Sequence, residues 1–126
     1  MIQVGTNVKI ADNSGAKFGR VFKVLGGSKR RYAEIGDLVI LSIKVAEPRK
    51  TTKKKDVVCG VVVRQRKQFR RKDGSYIYFD ENAVVIVDKA KKDPKAGRVF
   101  GPIPKEFSES TIDGFKKIAS LAPEVI

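Results

Sequence analysis

The sequence contains no histidine, no tryptophan and a single cysteine, Cys59. One cysteine excludes a disulfide within the chain, and without histidine the usual zinc sites and every histidine-based acid, base or triad are excluded as well. An enzyme would have to rely on Asp, Glu, Lys, Ser or Cys59, and nothing in their order along the chain indicates a reactive site. We therefore predict no catalytic residue, no metal and no cofactor, and interpret Cys59 as a small core residue.

Long hydrophobic runs are also missing. No uninterrupted apolar stretch approaches the roughly 18 residues of a membrane span. The start, Met1-Ile2-Gln3, lacks the charged and then apolar layout of a signal peptide. The chain has 126 residues, of which 41% are hydrophobic, and this composition is enough for one compact core. We expect a single domain with no membrane span.

Acidic residues are scarce, because 14 Asp and Glu stand against 27 Lys and Arg, for a net charge of +13. The excess is concentrated: residues 49–72 hold eleven basic residues and one acid, Asp56. Smaller basic groups lie at 29–31 and 89–98. Clustered like charges repel one another unless a polyanion neutralises them, so the pattern indicates a nucleic-acid partner. A solvated lysine-rich surface is the alternative interpretation.

Aromatic residues are rare inside the basic clusters, where only Tyr32 and Phe69 occur. Proteins that bind single strands usually offer several exposed rings for base stacking. The sequence thus favours phosphate and groove contacts to folded RNA or a duplex.

Strand patterns dominate the first two thirds of the chain. Residues 37–46 alternate apolar and polar positions through Val45, which predicts a strand with one face in a core. Residues 56–67 begin as a buried strand and emerge into solvent at Arg64, and Asp73-Gly74 predicts a hairpin. Residues 17–25 carry apolar side chains on both parities, which predicts a strand covered on both sides over part of its length. About five strands with short connections favour a small closed barrel, since closure removes exposed edges.

The pattern changes after residue 88. We interpret 1–88 as the barrel with its basic loops, 89–104 as a basic connector and 105–126 as a C-terminal helical segment. Ser110-Thr-Ile-Asp113 resembles a helix cap, and apolar residues then recur at helical spacing until Pro123 ends the helix near Ala122. The apolar stripe is expected to pack on the barrel. It would instead form a partner surface if some of Phe107, Phe115 and Leu121 were exposed.

These residues carry a family resemblance over nearly the whole chain. The signature blocks are Gly60-Val61-Val62-Val63, Asp73-Gly74, Phe79, Asn82 and Val85-Ile86. Further matching blocks are Ala11-Asp12-Asn13-Ser14-Gly15-Ala16, Lys23-Val24-Leu25-Gly26-Gly27-Ser28, Arg30-Arg31-Tyr32-Ala33, Ile35-Gly36-Asp37, Arg98-Val99-Phe100-Gly101-Pro102 and Ser120-Leu121-Ala122-Pro123-Glu124-Val125-Ile126. The chain resembles the family of the universal large-subunit ribosomal protein number fourteen.

The resemblance implies a mainly β fold, a small closed five-stranded β-barrel with a short C-terminal helical segment. It also implies a structural, non-enzymatic role in the large ribosomal subunit, with binding to large-subunit rRNA and a place at the intersubunit face and bridge. The implied neighbours are ribosomal proteins of the number three and number nineteen families, small-subunit rRNA across the interface, and an anti-association factor.

Charge and resemblance together give two sets of site residues. The predicted RNA-binding residues are Lys29, Arg30, Arg31, Tyr32, Arg49, Lys50, Lys53, Lys54, Lys55, Arg64, Arg66, Lys67, Arg70, Arg71, Lys72 and Arg98. The predicted protein-partner surface comprises Phe107, Phe115, Lys116 and Leu121.

Two positions depart from the bacterial pattern of the family. Lys55 stands where bacterial relatives usually carry Gly before the Asp, and the chain is about three residues longer between Phe107 and Phe115. Residues 60–64, 80–85 and 98–104 look closer to organellar members. We therefore expect a ribosome of an organelle matrix, with the mitochondrion favoured, or of a bacterial cytoplasm.

The runner-up interpretation is a free-standing oligonucleotide-binding barrel of the cold-shock type. That class stacks bases on aromatic residues exposed along one sheet face. Solvent-accessible Phe69, Tyr76 and Tyr78 in a row would favour it.

Overall fold

The computed structural model describes residues 2–26, 31–48 and 54–126. Over these residues the fold has one helix, α1 (Asp113–Leu121), and strands that are mostly short. In chain order the strands are β1 (Ile2–Gln3), β2 (Asn7–Ile10), β3 (Ala16–Val24), β4 (Tyr32–Ala33), β5 (Leu38–Ala46), β6 (Val57–Arg64), β7 (Phe69–Arg70), β8 (Tyr76–Ile77), β9 (Ala83–Val87), β10 (Pro102–Ile103) and β11 (Glu124–Val125).

Five strands form a closed barrel in the order β2-β3-β5-β6-β9. Neighbouring strands are antiparallel except at the closure, where β2 pairs in parallel with β9. The remaining strands form three two-stranded sheets: β1 with β4, β7 with β8, and β10 with β11. The mainly β class and the closed five-stranded barrel with one short C-terminal helix are confirmed.

Strands β6 and β9 are buried on both faces, which explains their continuous apolar sequence. Val62, Val84 and Ile86 point into the barrel among the side chains of its other strands. Val61 and Val85, of the opposite parity, pack outward against the C-terminal segment. Cys59 is buried in this outer cluster, as expected, and burial raises the pKa of its thiol.

Strand β3 departs from the sequence expectation. Val21 and Val24 are buried, but Phe18 and Phe22 are each about half exposed, so the strand is not covered on both sides. Register shifts on either side of Phe18 place it opposite Val45, and Val45 is likewise turned out of the core that its parity predicts. A bulge changes which face a side chain takes, and alternation in the sequence does not reveal it.

The C-terminal segment covers the outer face of β6 and β9. Helix α1 ends at Leu121, next to Ala122 as predicted, but its N-terminus has no side-chain cap. The Ser110 hydroxyl instead accepts a hydrogen bond from the amide of Ile112 at 3.1 Å, and Ile112 is the residue directly before the helix. The rings of Phe107 and Phe115 contact each other with centroids 5.1 Å apart.

Candidate nucleic-acid interface

The basic residues that are contiguous in sequence lie at two ends of the barrel. The start of β6 pairs with the middle of β5, and the end of β6 pairs with the start of β9. Lys54 and Lys55 therefore lie at one end, and the chain from Arg66 onward lies at the other. Strand β6 has eight residues, which corresponds to roughly 25 Å of extended chain. The cationic surface is thus divided into two patches by a buried strand.

The first patch is a basic hairpin, defined here as residues 66–79. Strand β7 pairs with β8, with Arg70 opposite Tyr76 and Phe69 opposite Ile77. The predicted Asp73-Gly74 turn is present, with Gly74 at a φ of 89°. The Asp73 carboxylate accepts hydrogen bonds from the hydroxyl and the amide of Ser75, and these bonds lower its pKa. The turn therefore has a defined geometry at the tip of the hairpin.

Four cations of the basic hairpin are exposed: Arg66, Lys67, Arg70 and Lys72. Within the described residues none of them forms a salt bridge. Nε of Arg66 donates a hydrogen bond to the main-chain oxygen of Asp80 at 2.9 Å. The side chain is held at this point and is still exposed. These charges are free to meet an external anion.

Arg64 does not belong to this exposed group. Its side chain is only 4% exposed, so the expectation that it emerges into solvent is wrong. Nη1 donates to the main-chain oxygens of Phe100 at 2.9 Å and Pro102 at 3.1 Å, and Nη2 donates to Glu81 at 3.1 Å. Burial lowers its pKa, and the Glu81 carboxylate opposes that shift. Arg64 ties the barrel to the connector.

Arg71 is also engaged internally. Nε forms an ion pair with Glu106 at 2.9 Å, and Nη2 donates to the main-chain oxygen of Ile126. Its side chain is mostly buried. Arg71 therefore attaches the basic hairpin to the C-terminal segment, which leaves little of its charge for RNA.

The second patch surrounds the start of β6. Lys54 and Lys55 are exposed there, and Lys89 and Lys95 are exposed beyond the end of β9. The positive charges of Lys89 and Lys95 act to lower the pKa of the Cys59 thiol, against the effect of burial. Both lysines therefore lie near Cys59, at the start of β6. Lys55 has a φ of 72°, in the left-handed region that glycine normally occupies.

The other predicted RNA-binding residues are distributed as follows. Arg31, Tyr32 and Arg98 are exposed, with Tyr32 in the two-residue strand β4. Lys29, Arg30, Arg49, Lys50 and Lys53 lie outside the described residues.

The predicted protein-partner surface is mostly core. Phe107 is 1% exposed and Phe115 is 7% exposed, so neither presents a ring to a partner. Leu121 is half-buried and packs against the same cluster, whereas Lys116 is exposed. The helical spacing of these apolar residues reflects packing on the barrel, as the main sequence interpretation held.

The predicted RNA-binding set leaves out two exposed rings of the basic hairpin, Tyr76 and Tyr78. They lie just outside the run of basic residues, beyond the Asp73-Gly74 turn. The signal that could have found them is the hairpin itself, because its turn folds residues 75–79 back against the basic arm. Phe69, the third ring that the cold-shock interpretation requires to be exposed, packs against the core.

The family described as ribosomal protein L14p/L23e matches residues 1–126, the whole chain. The chain belongs to the ribosomal protein L14p/L23e family. Members are structural proteins of the large ribosomal subunit, not enzymes, and their neighbours there are large-subunit rRNA and other ribosomal proteins.

Family membership decides between the two barrel interpretations. A free-standing cold-shock barrel would need Phe69, Tyr76 and Tyr78 exposed in a row, and Phe69 is instead partly buried against the core. The L14p/L23e match covers the connector and the C-terminal segment as well as the barrel. The blocks quoted from the sequence are thus those of a large-subunit protein.

The described residues of this L14p/L23e chain contain no group of three or more His, Cys, Asp or Glu side chains arranged to hold a metal ion. No helix in that part of the chain is long and apolar enough to cross a membrane.

Proposed function

We propose that this L14p/L23e protein binds large-subunit rRNA through the two cationic patches at the ends of its barrel. The observation that carries the proposal is the set of four exposed hairpin cations without a salt-bridge partner among the described residues. A closed barrel fixes the strand ends from which these side chains project. Their charge neutralises phosphates that the RNA fold brings together, so the protein supports subunit assembly and translation.

The two patches suit a protein held between RNA segments. Roughly 25 Å of β6 separates them, so each patch meets a different stretch of phosphate backbone. We place the protein at the intersubunit face, where it contributes to a bridge with small-subunit rRNA. Its protein neighbours in this proposal belong to the number three and number nineteen families, and an anti-association factor docks on the C-terminal segment through the exposed Lys116 and the edge of Leu121.

The compartment in this proposal is an organelle matrix, with the mitochondrion favoured over a bacterial cytoplasm. It rests on the organellar likeness of residues 60–64, 80–85 and 98–104. The domain organisation is one domain, with a barrel at 1–88, a connector at 89–104 and a C-terminal segment at 105–126. It is supported by the single apolar cluster that joins Val61 and Val85 of the barrel to Phe107 and Ile118 of the C-terminal segment.

The test is sedimentation of an organelle or cell lysate through a gradient at moderate and at high salt, with each fraction probed for this protein. We expect it to remain with the large subunit in both conditions and to be absent from free fractions. Free protein at the top of the moderate-salt gradient would overturn the structural role. The lysate that contains the bound protein identifies the compartment.

A further inference from the structure

The strand that returns from the tip of the basic hairpin presents two tyrosine rings to solvent. Tyr76 is 59% exposed and Tyr78 is 64% exposed. Between and after them, Ile77 packs against the core and Phe79 is buried. Inward and outward side chains therefore alternate along this extended segment, and the two tyrosines project from the same face.

The inward residues fix that face. Ile77 lies opposite Phe69 in the hairpin, and both pack against the core. The Phe79 amide donates to the main-chain oxygen of Gln65 at 3.0 Å, which attaches the returning strand to the end of β6. The rings consequently project from a backbone that is held at several points.

Cations flank the rings on the neighbouring strand. Arg70 lies directly opposite Tyr76 and is exposed on the same hairpin. Arg66 donates to the main-chain oxygen of Asp80, two residues beyond Tyr78, at 2.9 Å. Tyr76 therefore has an arginine directly opposite it, and the guanidinium of Arg66 is held against the main chain that follows Tyr78.

The spacing of the rings matches base stacking. Residues i and i+2 of an extended strand are about 6.6 to 6.8 Å apart. Stacked bases are about 3.4 Å apart, so one planar base inserted between two such rings needs about twice that distance. Among the described residues, the ring contact is that of Phe107 with Phe115, and Tyr76 and Tyr78 have no ring partner.

We propose that Tyr76 and Tyr78 form a stacking site for an unpaired RNA base, and that Arg70 and Arg66 hold the phosphates on either side of it. The site rests on the proposed rRNA binding and adds a preference for a bulged or looped nucleotide over continuous duplex. Tyrosine rings stack on any base face, and single-stranded segments are where proteins reach bases in RNA. The positive flanks favour RNA over an apolar protein segment.

The experiment measures the Kd of the full chain, by fluorescence anisotropy, for a fully paired RNA duplex and for the same duplex carrying an adenosine bulge. The variants are Tyr76→Ala, Tyr78→Ala and the ring-preserving Tyr76→Phe and Tyr78→Phe. Phe22→Ala, which removes an exposed ring from the barrel wall, is the matched control. Thermal melting of each variant confirms that the barrel is folded.

We expect the wild type to bind the bulged RNA more tightly than the duplex. Each Ala variant should weaken binding to the bulged RNA by about 5- to 150-fold, the effect of one lost stacking ring. Binding to the paired duplex should change little. Both Phe variants and Phe22→Ala should behave like the wild type.

Three results would overturn the site. Equal affinity of the wild type and the Ala variants for the bulged RNA would mean that the rings do not stack on a base, and a protein partner would then be the alternative ligand of the rings. Equal loss on both RNAs would make the rings part of a general surface, and loss in the Phe variants would indicate hydrogen bonding by the hydroxyls. In each case the wild type still binds RNA, so the proposed function stands; if the wild type binds neither RNA, both fail.

Discussion

Nη1 of Arg64 donates a hydrogen bond to the main-chain oxygen of Phe100 at 2.9 Å, across 36 residues of sequence. The same guanidinium reaches Pro102 and Glu81. Gly101, at a φ of 80°, lies against it so closely that an added Cβ would collide with Nη1. One buried cation therefore organises the entry to the connector.

Replacing Arg64 with Met should lower the free energy of unfolding by about 3 kcal/mol, because two carbonyls lose charged donors in a buried place. Urea unfolding measures this change. Arg66→Met, which removes the exposed arginine two residues later, is the control and should cost less than about 1 kcal/mol. Equal losses in the two variants would contradict the internal role of Arg64.

The second prediction concerns Gly114. Its replacement by Ala should change the stability of the protein in the direction opposite to that expected from helix propensity. Gly lowers helix stability by about 1 kcal/mol relative to Ala, so Gly114→Ala should stabilise α1 if only the helix mattered. An added Cβ at Gly114 would, however, collide with the main-chain oxygen of Lys92, where the helix packs on the connector. We expect Gly114→Ala to destabilise the protein by about 1 to 3 kcal/mol.

Urea unfolding of Gly114→Ala beside Lys116→Ala makes the comparison. Lys116 is exposed on the same helix, and its replacement should change stability by less than about 0.5 kcal/mol. A stabilised Gly114→Ala variant would mean that the helix does not approach Lys92 as closely as described.

Much of the fold could be predicted because its determinants are local. The strand over residues 38–46, the Asp73-Gly74 turn and the end of the helix beside Ala122 each follow from a few adjacent residues, and each is confirmed, although the alternation fails at Val45. Arg64 could not be assigned in this way. It has the same sequence neighbourhood as Arg66, and only the return of the connector, which is distant in sequence, buries it.

The exposed rings could not be predicted for a related reason. Phe18 turns outward because of a register shift, which depends on how β3 meets β5. Tyr76 becomes a neighbour of Arg70 only after the hairpin closes. Local patterns identify strands and turns, whereas the surface of a site depends on pairings between segments.

The backbone conformation of Lys55 is unfavourable, and replacing this residue with glycine should relieve the strain. Its φ of 72° lies in the left-handed region, which is unfavourable by about 1 to 2 kcal/mol for a residue with a Cβ. Lys55→Gly should therefore stabilise the protein by up to about 1 kcal/mol, after the larger entropy of glycine in the unfolded chain is subtracted. Lys54→Gly is the control, because Lys54 is the exposed lysine beside it. That control should be neutral or destabilised, and a stabilised Lys54→Gly would contradict the explanation.

Asp12 gives a pH-dependent prediction. It lies in the core, where its oxygens accept from Ser14 and from the Ile86 amide, and burial raises its pKa above the usual 3.8. The native state thus keeps this proton to higher pH than the unfolded chain does. The contribution of Asp12 to stability is complete below the unfolded pKa of about 4 and decreases as pH rises through the native pKa.

The measurement for Asp12 is urea unfolding of the wild type and of Asp12→Asn from about pH 4 to neutral pH. Asn does not titrate, and the other carboxylates are common to both proteins. The advantage of the wild type over Asp12→Asn should therefore shrink as the pH rises. An advantage that grows with pH would mean that the native pKa of Asp12 is lowered.

The exposed hairpin cations should determine the salt dependence of RNA binding. Each phosphate contact contributes roughly 0.7 to 0.9 to the slope of log K against log salt. Because Arg70 and Lys72 are exposed, replacing both with Ala should reduce the slope by about 1.5 with little effect on melting temperature. Arg71→Ala is the contrasting variant: Arg71 is paired with Glu106, so its loss should lower stability and leave the slope nearly unchanged. Anisotropy titrations at several salt concentrations give the slopes, and an unchanged slope for the double variant would remove the basic hairpin from the RNA-binding surface.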